Sequence, residues 1–235
     1  GASEIRIGLS SCCVAGGSAG VFQNALDTVR SLGLPAQVKQ VGCAGMCHRT
    51  PLMEVVHAQT GASSFYANVR AEDVADIIRR EFRPPSLEGR VKAWLQGCVG
   101  ELFAPQPERA LRPRYDLDLR DKPVADFLGR QVRVATEHYG RLDPVDLDEY
   151  LRHDGFEALK ACLTTMRPEE VVERVTASGL RGRGGAGFPT GVKWGRVRAS
   201  GGAKVYILCN GDEGDPGAFM DRMLLESFPY RVIEG

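Results

Sequence analysis

GLRGRGGAGFPTGVKW runs from Gly179 to Trp194 and holds six glycines, two arginines and one lysine. Gly182, Gly184 and Gly187 match the G-x-G-x-x-G pattern. That pattern marks a dinucleotide-binding crossover only when a strand precedes it and a helix follows. Here EEVVERVTASGL precedes it, and Val171, Val172, Val175 and Leu180 recur at helical rather than alternating spacing. The Rossmann reading therefore fails on context. No G-K-[ST] follows, which excludes a Walker A loop. An anion loop of another kind remains. Glycines let backbone N–H groups close in on an anion, and Arg183 and Lys193 can add charge-assisted bonds. Phe188 and Trp194 offer flat apolar faces. A planar ring with a phosphate tail, as in flavin mononucleotide (FMN), suits that set. The plainer alternative is a glycine-rich turn with solvated arginines.

CNGDEGDPGAF, from Cys209 to Phe219, follows KVYIL. KVYILCN is predicted to be a buried strand, which would bring Asn210, Asp212, Glu213 and Asp215 out at its carboxyl end, where α/β folds bind ligands. Asn can bond a heterocycle edge, and carboxylates can bond ribose hydroxyls or an amide. A Ca²⁺ loop would need ligands at regular alternate positions and a distal bidentate Glu, which this segment lacks. A plain turn remains the alternative.

Working outward, residues 144–235 read as helices. DPVDLDEYLRHDGFEALKACLTTM breaks at Asp154-Gly155, and RPEEVVERVTASGL starts with Pro168 in its first turn. DRMLLESFPYRVIEG closes the chain as a last helical segment. Residues 83–143 are rich in Pro and charge and read as a linker or extended arm, interrupted by a short helix over ADFLGRQVRVATEHYG. Residues 1–82 read as a small α/β unit. Ile5, Ile7 and Leu9 alternate as in a strand. Val21, Phe22, Ala25, Leu26, Val29 and Leu32 share a helical face that Gly33 and Pro35 end. AQVKQVG and PLMEVV are further strands, FYANV is a candidate fourth, and AEDVADIIRREF is an amphipathic helix. This order suits a thioredoxin-like layer. The fold class is α/β: a thioredoxin-like domain followed by the first part of a second α/β domain.

The chain has 235 residues, with thirty basic and thirty acidic side chains. That balance gives no electrostatic reason to expect nucleic acid or an anionic membrane as partner. No apolar run reaches the roughly 20 residues of a membrane span, and GASEIRIGLSSCC has no secretory pattern. Seven cysteines, at 12, 13, 43, 47, 98, 162 and 209, are odd in number and unevenly spaced, unlike a secreted disulfide framework. A cytoplasmic setting is expected. Cys12, Cys13, Cys43 and Cys47 are candidate metal ligands on loops at one end of the small sheet. Zinc is an option for them, and His48 reads as a surface residue. Cys98, Cys162 and Cys209 are isolated and read as thiols without a role.

The two loops together, GLRGRGGAGFPTGVKW and CNGDEGDPGAFMDR, resemble the NADH-oxidising flavin subunit of respiratory complex I and its relatives in NAD-dependent hydrogenases and formate dehydrogenases. DEYLRHDGFEALKACL is similar to the helical lead-in of that family, and the resemblance spans roughly residues 120–235. It implies FMN and NAD(H) as cofactors. The flavin phosphate falls on Gly182, Arg183, Gly184 and Gly185, with Lys193 assisting. Asn210, Asp212 and Glu213 line the flavin. Phe188 stacks on the nicotinamide side, and Asp215 stands where relatives commonly have a Glu that contacts NADH. Arg196 occupies a position where an aromatic often forms a second stacking wall. Residues 1–82 resemble the thioredoxin-like [2Fe–2S] domain of the small partner subunit. There Cys43 and Cys47 match C-x₃-C, and Cys13 matches the second member of C-x₄-C. The first member falls on Gly8, so Cys12 is the substitute ligand. The family's [4Fe–4S] cysteines are expected only in a further C-terminal part, and the chain reads as a portion of a longer subunit.

The implied activity is that of a diaphorase: hydride passes between NAD(H) and FMN, and electrons go on to iron–sulfur centres. Hydride transfer needs no acid or base, so no catalytic residue is assigned. Iron–sulfur electron-transfer subunits and a hydrogenase or formate dehydrogenase catalytic subunit are the implied partners. The alternative is a structural or electron-relay subunit with a decayed flavin site.

Overall fold

The computed structural model describes residues 2–43, 45–82, 126, 130–202 and 204–235. Alternating apolar residues generate the first layer. β1 (Ser3–Gly8) buries Ile5 and Ile7 completely, as strand period two requires. It pairs in parallel with β2 (Ala36–Val41) and antiparallel with β3 (Met53–Val56), which pairs antiparallel with β4 (Ser63–Tyr66). The strand order β2-β1-β3-β4 is the thioredoxin-like arrangement anticipated from the sequence.

Between β1 and β2 the chain forms a short helix, α1 (Ser11–Ala15), and then α2 (Ser18–Leu32). Gly33 ends α2 in the left-handed region at φ 59°, a conformation glycine adopts without a Cβ penalty. α3 (Val74–Glu81) follows β4 through a single 3₁₀ turn. Val21 and Ala25 of α2 and Val74, Ile77 and Ile78 of α3 close over Ile5, Ile7, Met53, Val55 and Tyr66 to form the core. The resulting rigid sheet fixes where the loops that follow β1 and β2 emerge.

The second part is helical, as its periodicity predicts: α4 (Leu147–Arg152), α5 (Glu157–Thr164), α6 (Pro168–Ala177), α7 (Thr190–Ala199), α8 (Met220–Ser227) and α9 (Pro229–Glu234). The break at Asp154-Gly155 is real. Asp154 and Phe156 adopt φ of 61° and 63°, and a Cβ on Gly155 would sit 2.2 Å from Cδ1 of Tyr150. Pro168 occupies the first turn of α6, where its missing N–H costs no helical bond.

Two expectations need correction. KVYILCN forms no strand: Ile207 and Leu208 are 98% and 91% exposed. A strand needs a neighbour for its N–H and C=O groups, and among the described residues every strand belongs to the first sheet. Of the helix expected over 125–140, Asp126 is helical, whereas residues 130–140 make turns and a bend. Gly140, in the left-handed region at φ 66°, lies at the end of that stretch. Cys98 and most of the arm over 83–143 lie outside the described residues.

The two parts touch along one edge of the sheet. Lys39 of β2 pairs with Glu149 of α4, and Gln40 donates to Asp143 at 2.8 Å. These polar ties cover β2, an edge strand of the sheet.

Candidate functional site

The glycine loop is tied at two levels. Thr190 N–H donates to Leu180 O, and Gly182 N–H donates to Phe188 O, each at 2.9 Å. Arg181 reaches Gly187 O at 2.9 Å and Arg183 reaches Arg181 O at 2.6 Å. Inside this neck, Gly185 and Gly187 have φ of 106° and 59°, backbone states that glycine tolerates. The N–H groups of Arg183 to Gly187 have no backbone acceptor among the described residues. A Cβ at Gly184, Gly185 or Gly187 would meet open space. A run of unspent amides beside a guanidinium can cradle an anion such as a phosphate. Gly182 differs from its neighbours, because its own N–H closes the neck.

Phe188 ends the glycine run, and Lys193 follows it on α7. Phe188 is 38% exposed, and the Arg196 guanidinium carbon lies 5.3 Å from its ring centroid. Arg196 thus supplies a cation–π wall to the Phe188 ring. Lys193 is exposed on α7. Trp194, also on α7, is 42% exposed.

In the acidic loop, Asn210 Oδ1 accepts from Asp212 N–H at 2.9 Å, an Asx turn that shapes the bend. Glu213 accepts from the N–H groups of Asp221 and Arg222 at 2.7 and 3.1 Å. It caps α8, a use for this carboxylate that its position in the sequence did not reveal. Asp212 and Asp215 are exposed.

The four clustered cysteines come together. The sulfurs of Cys12, Cys13 and Cys43 lie within 4.8 Å of one another, and Cys12 Sγ stands 3.7 Å from Cys47 Sγ. Cys12 and Cys13, both on α1, engage different partners of the same group: Cys12 meets Cys47 and Cys13 meets Cys43. A Cβ at Gly8 would lie 3.3 Å from Cys13 Sγ, so this backbone position does border the centre. The buried Ser10 hydroxyl sits 3.3 Å from Cys13 Sγ, and Gly45 N–H donates to Cys43 Sγ at 3.3 Å. The contact with Cys13, aided by the Gly45 amide, lowers the Cys43 thiol to about 5, while the same contact raises Cys13. Burial, with the Cys12 contact, pushes Cys47 up to about 12. Four converging soft thiols fit a thiolate-bound iron or zinc centre. His48 is exposed, and Cys162 and Cys209 stand outside this group.

The sequence reading did not foresee what lies against this centre. Ser227, 5% exposed, accepts from Cys43 N–H at 2.9 Å. Its neighbour Glu226 accepts from Ser11 N–H at 2.9 Å and from the Ser11 hydroxyl. No spacing rule relates residues this far apart in the chain.

The Nuo51 FMN-binding domain family matches residues 175–235. The NADP-reducing hydrogenase subunit HndC of Solidesulfovibrio fructosivorans is 51% identical over 105 residues, covering 45% of this chain and 21% of that protein. An NADH-quinone oxidoreductase subunit of Buchnera aphidicola subsp. Schizaphis graminum is 47% identical over 94 residues, covering 40% of this chain and 21% of that protein. The chain thus spans about a fifth of the length of these relatives. A thioredoxin-like [2Fe–2S] ferredoxin from Aquifex aeolicus aligns over 37% of this chain and 86% of its own, with 19% identity and a TM-score of 0.31.

Proposed function

With residues 175–235 as the start of a Nuo51 FMN-binding domain, we propose that the protein is the NADH-dehydrogenase (diaphorase) module of a multi-subunit oxidoreductase. The observation that carries this reading is the run of unspent amides from Arg183 to Gly187. The amides of Arg183, Gly184 and Gly185 hold the FMN phosphate, and Gly182 sets the neck that shapes their cradle. Arg183 and Lys193 add positive charge. Asn210, Asp212 and Glu213 border the flavin, and Asp215 takes the dinucleotide side through a carboxylate one methylene shorter than the Glu common among relatives. Phe188 receives the nicotinamide on a ring face that Arg196 leaves open. Held by these residues, FMN would supply the chemistry of hydride exchange with NAD(H) and of single-electron transfer. The residues named here bind and orient, and none needs to move a proton.

Cys12, Cys13, Cys43 and Cys47 are the proposed holders of a [2Fe–2S] centre, which takes four thiolates. The proposed setting is a soluble cytoplasmic hydrogenase or formate dehydrogenase complex, with iron–sulfur subunits as partners. A second reading, a relay or structural subunit without working flavin, draws on Glu213, whose carboxylate is occupied as a helix cap. Reduction of ferricyanide by NADH separates the two. The diaphorase reading expects turnover with FMN-loaded protein and its loss in Gly184→Glu, which fills the cradle. No turnover in the loaded wild type supports the relay.

A further inference from the structure

The helix α8 touches both candidate centres. At its start, Glu213 of the acidic loop accepts from Asp221 and Arg222 N–H. At its end, two consecutive residues grip the two cysteine loops. Glu226 holds Ser11 at the head of α1, which carries Cys12 and Cys13, and Ser227 holds the amide of Cys43. α1 has no side-chain cap of its own, so Glu226 takes that place. The close approach needs a glycine: a Cβ on Gly42 would sit 2.9 Å from both Cβ and O of Ser227. The intervening helix has 8 residues, about 12 Å of rigid rise.

We propose that α8 is a strut joining the cysteine loops to the acidic loop as one cooperative unit, with Glu226 and Ser227 as its positioning residues. Such a unit opens as a whole, so each end feels a loss of contact at the other. Loosening the cap at Glu213 frees α8 to rock away from Cys43. Loosening Glu226 weakens the order of the loop that Glu213 belongs to. A metal or flavin is not required for either effect, so this inference stands apart from the diaphorase reading.

The test uses the whole reduced, metal-free chain. Timed alkylation by iodoacetamide is read cysteine by cysteine by mass spectrometry, with Cys162 as internal reference. Glu213→Ala is expected to speed alkylation of Cys13 and Cys43 about fivefold, the factor that corresponds to one lost helix cap. In a Glu226→Ala/Ser227→Ala background, where the grip is already gone, Glu213→Ala adds nothing further. Unchanged Cys13 and Cys43 rates in Glu213→Ala, or effects that simply multiply, would overturn the proposal. Amide exchange provides the reverse measurement on a milder variant. Glu226→Ala alone is expected to speed exchange at Asp221 and Arg222, and protection equal to wild type there also overturns it.

Discussion

Gly191 stands against the backbone of Thr176: a Cβ at position 191 would lie 2.6 Å from Cα and 2.7 Å from N of Thr176. α6 and α7 therefore meet almost backbone to backbone just where the glycine loop leaves one helix and enters the other. Arg198 of α7 pairs with Glu169 of α6 and fixes the same crossing. Gly191→Ala forces the two helices apart, an overpacking cost of about 1–3 kcal/mol. The neck between Leu180 and Thr190 widens with them. Thermal unfolding is expected to start earlier, and FMN affinity to fall in the same variant. A variant with wild-type melting and flavin affinity would show that the crossing does not hold the loop.

Substitution of Phe188 is expected to separate dinucleotide binding from flavin binding. Phe188→Ala removes a stacking face worth about 0.5–1.5 kcal/mol. The KM for NADH is expected to rise by roughly threefold to tenfold on that basis, with FMN content unchanged. Loss of FMN with an unaltered KM would instead assign the ring to the flavin.

Acid is expected to loosen the small α/β unit through Glu81. Burial opposes its charge, but hydrogen bonds from Tyr66, His57 and Ser64 prevail and hold its carboxyl below the usual range. The unfolded chain then takes up this proton first as pH falls. Glu81 thus stabilises the fold above the ordinary glutamate pKa of about 4.3, and this contribution disappears as pH drops through the lower folded value. Urea midpoints measured between neutral pH and pH 3 should fall more steeply for wild type than for Glu81→Gln. Parallel curves would remove Glu81 from the acid response.

Metal analysis tests the cysteine centre. Under the proposed ligand set, anaerobic reconstitution with iron and sulfide gives two irons and two sulfides per chain, as a [2Fe–2S] centre requires. Cys12→Ser and Cys13→Ser should each lower the yield, since both sulfurs belong to the same group. If only one of the two substitutions has an effect, the other cysteine is a neighbour rather than a ligand.

The first sheet was legible because Ile5 and Ile7 alternate and Gly33 marks its own helix end. The helix break at Gly155 and the start at Pro168 were equally local signals. KVYIL misled because apolar content says that a segment can be buried, not that a partner strand is at hand. In the arm over 83–143 the Pro- and charge-rich stretches offer no periodic pattern apart from the short helix over 125–140. Cys12, Cys13, Cys43 and Cys47 were visible as candidates, but their convergence depends on where the sheet aims two separate loops. The grip of Glu226 and Ser227 left no trace in sequence spacing, because it joins distant ends of the chain. Arg196 was readable as a departure from an aromatic, and only its placement over Phe188 gave it a purpose.

A working flavin held by the loop from Gly182 to Phe188 is open to direct observation. The most direct measurement is the visible absorbance of the purified protein, reconstituted with iron, sulfide and FMN and freed of unbound flavin, before and after anaerobic NADH. Flavin bands close to one per chain that NADH bleaches are expected, as is their loss in Gly184→Glu. Protein that retains no flavin, or retains flavin that NADH leaves oxidised, would contradict it.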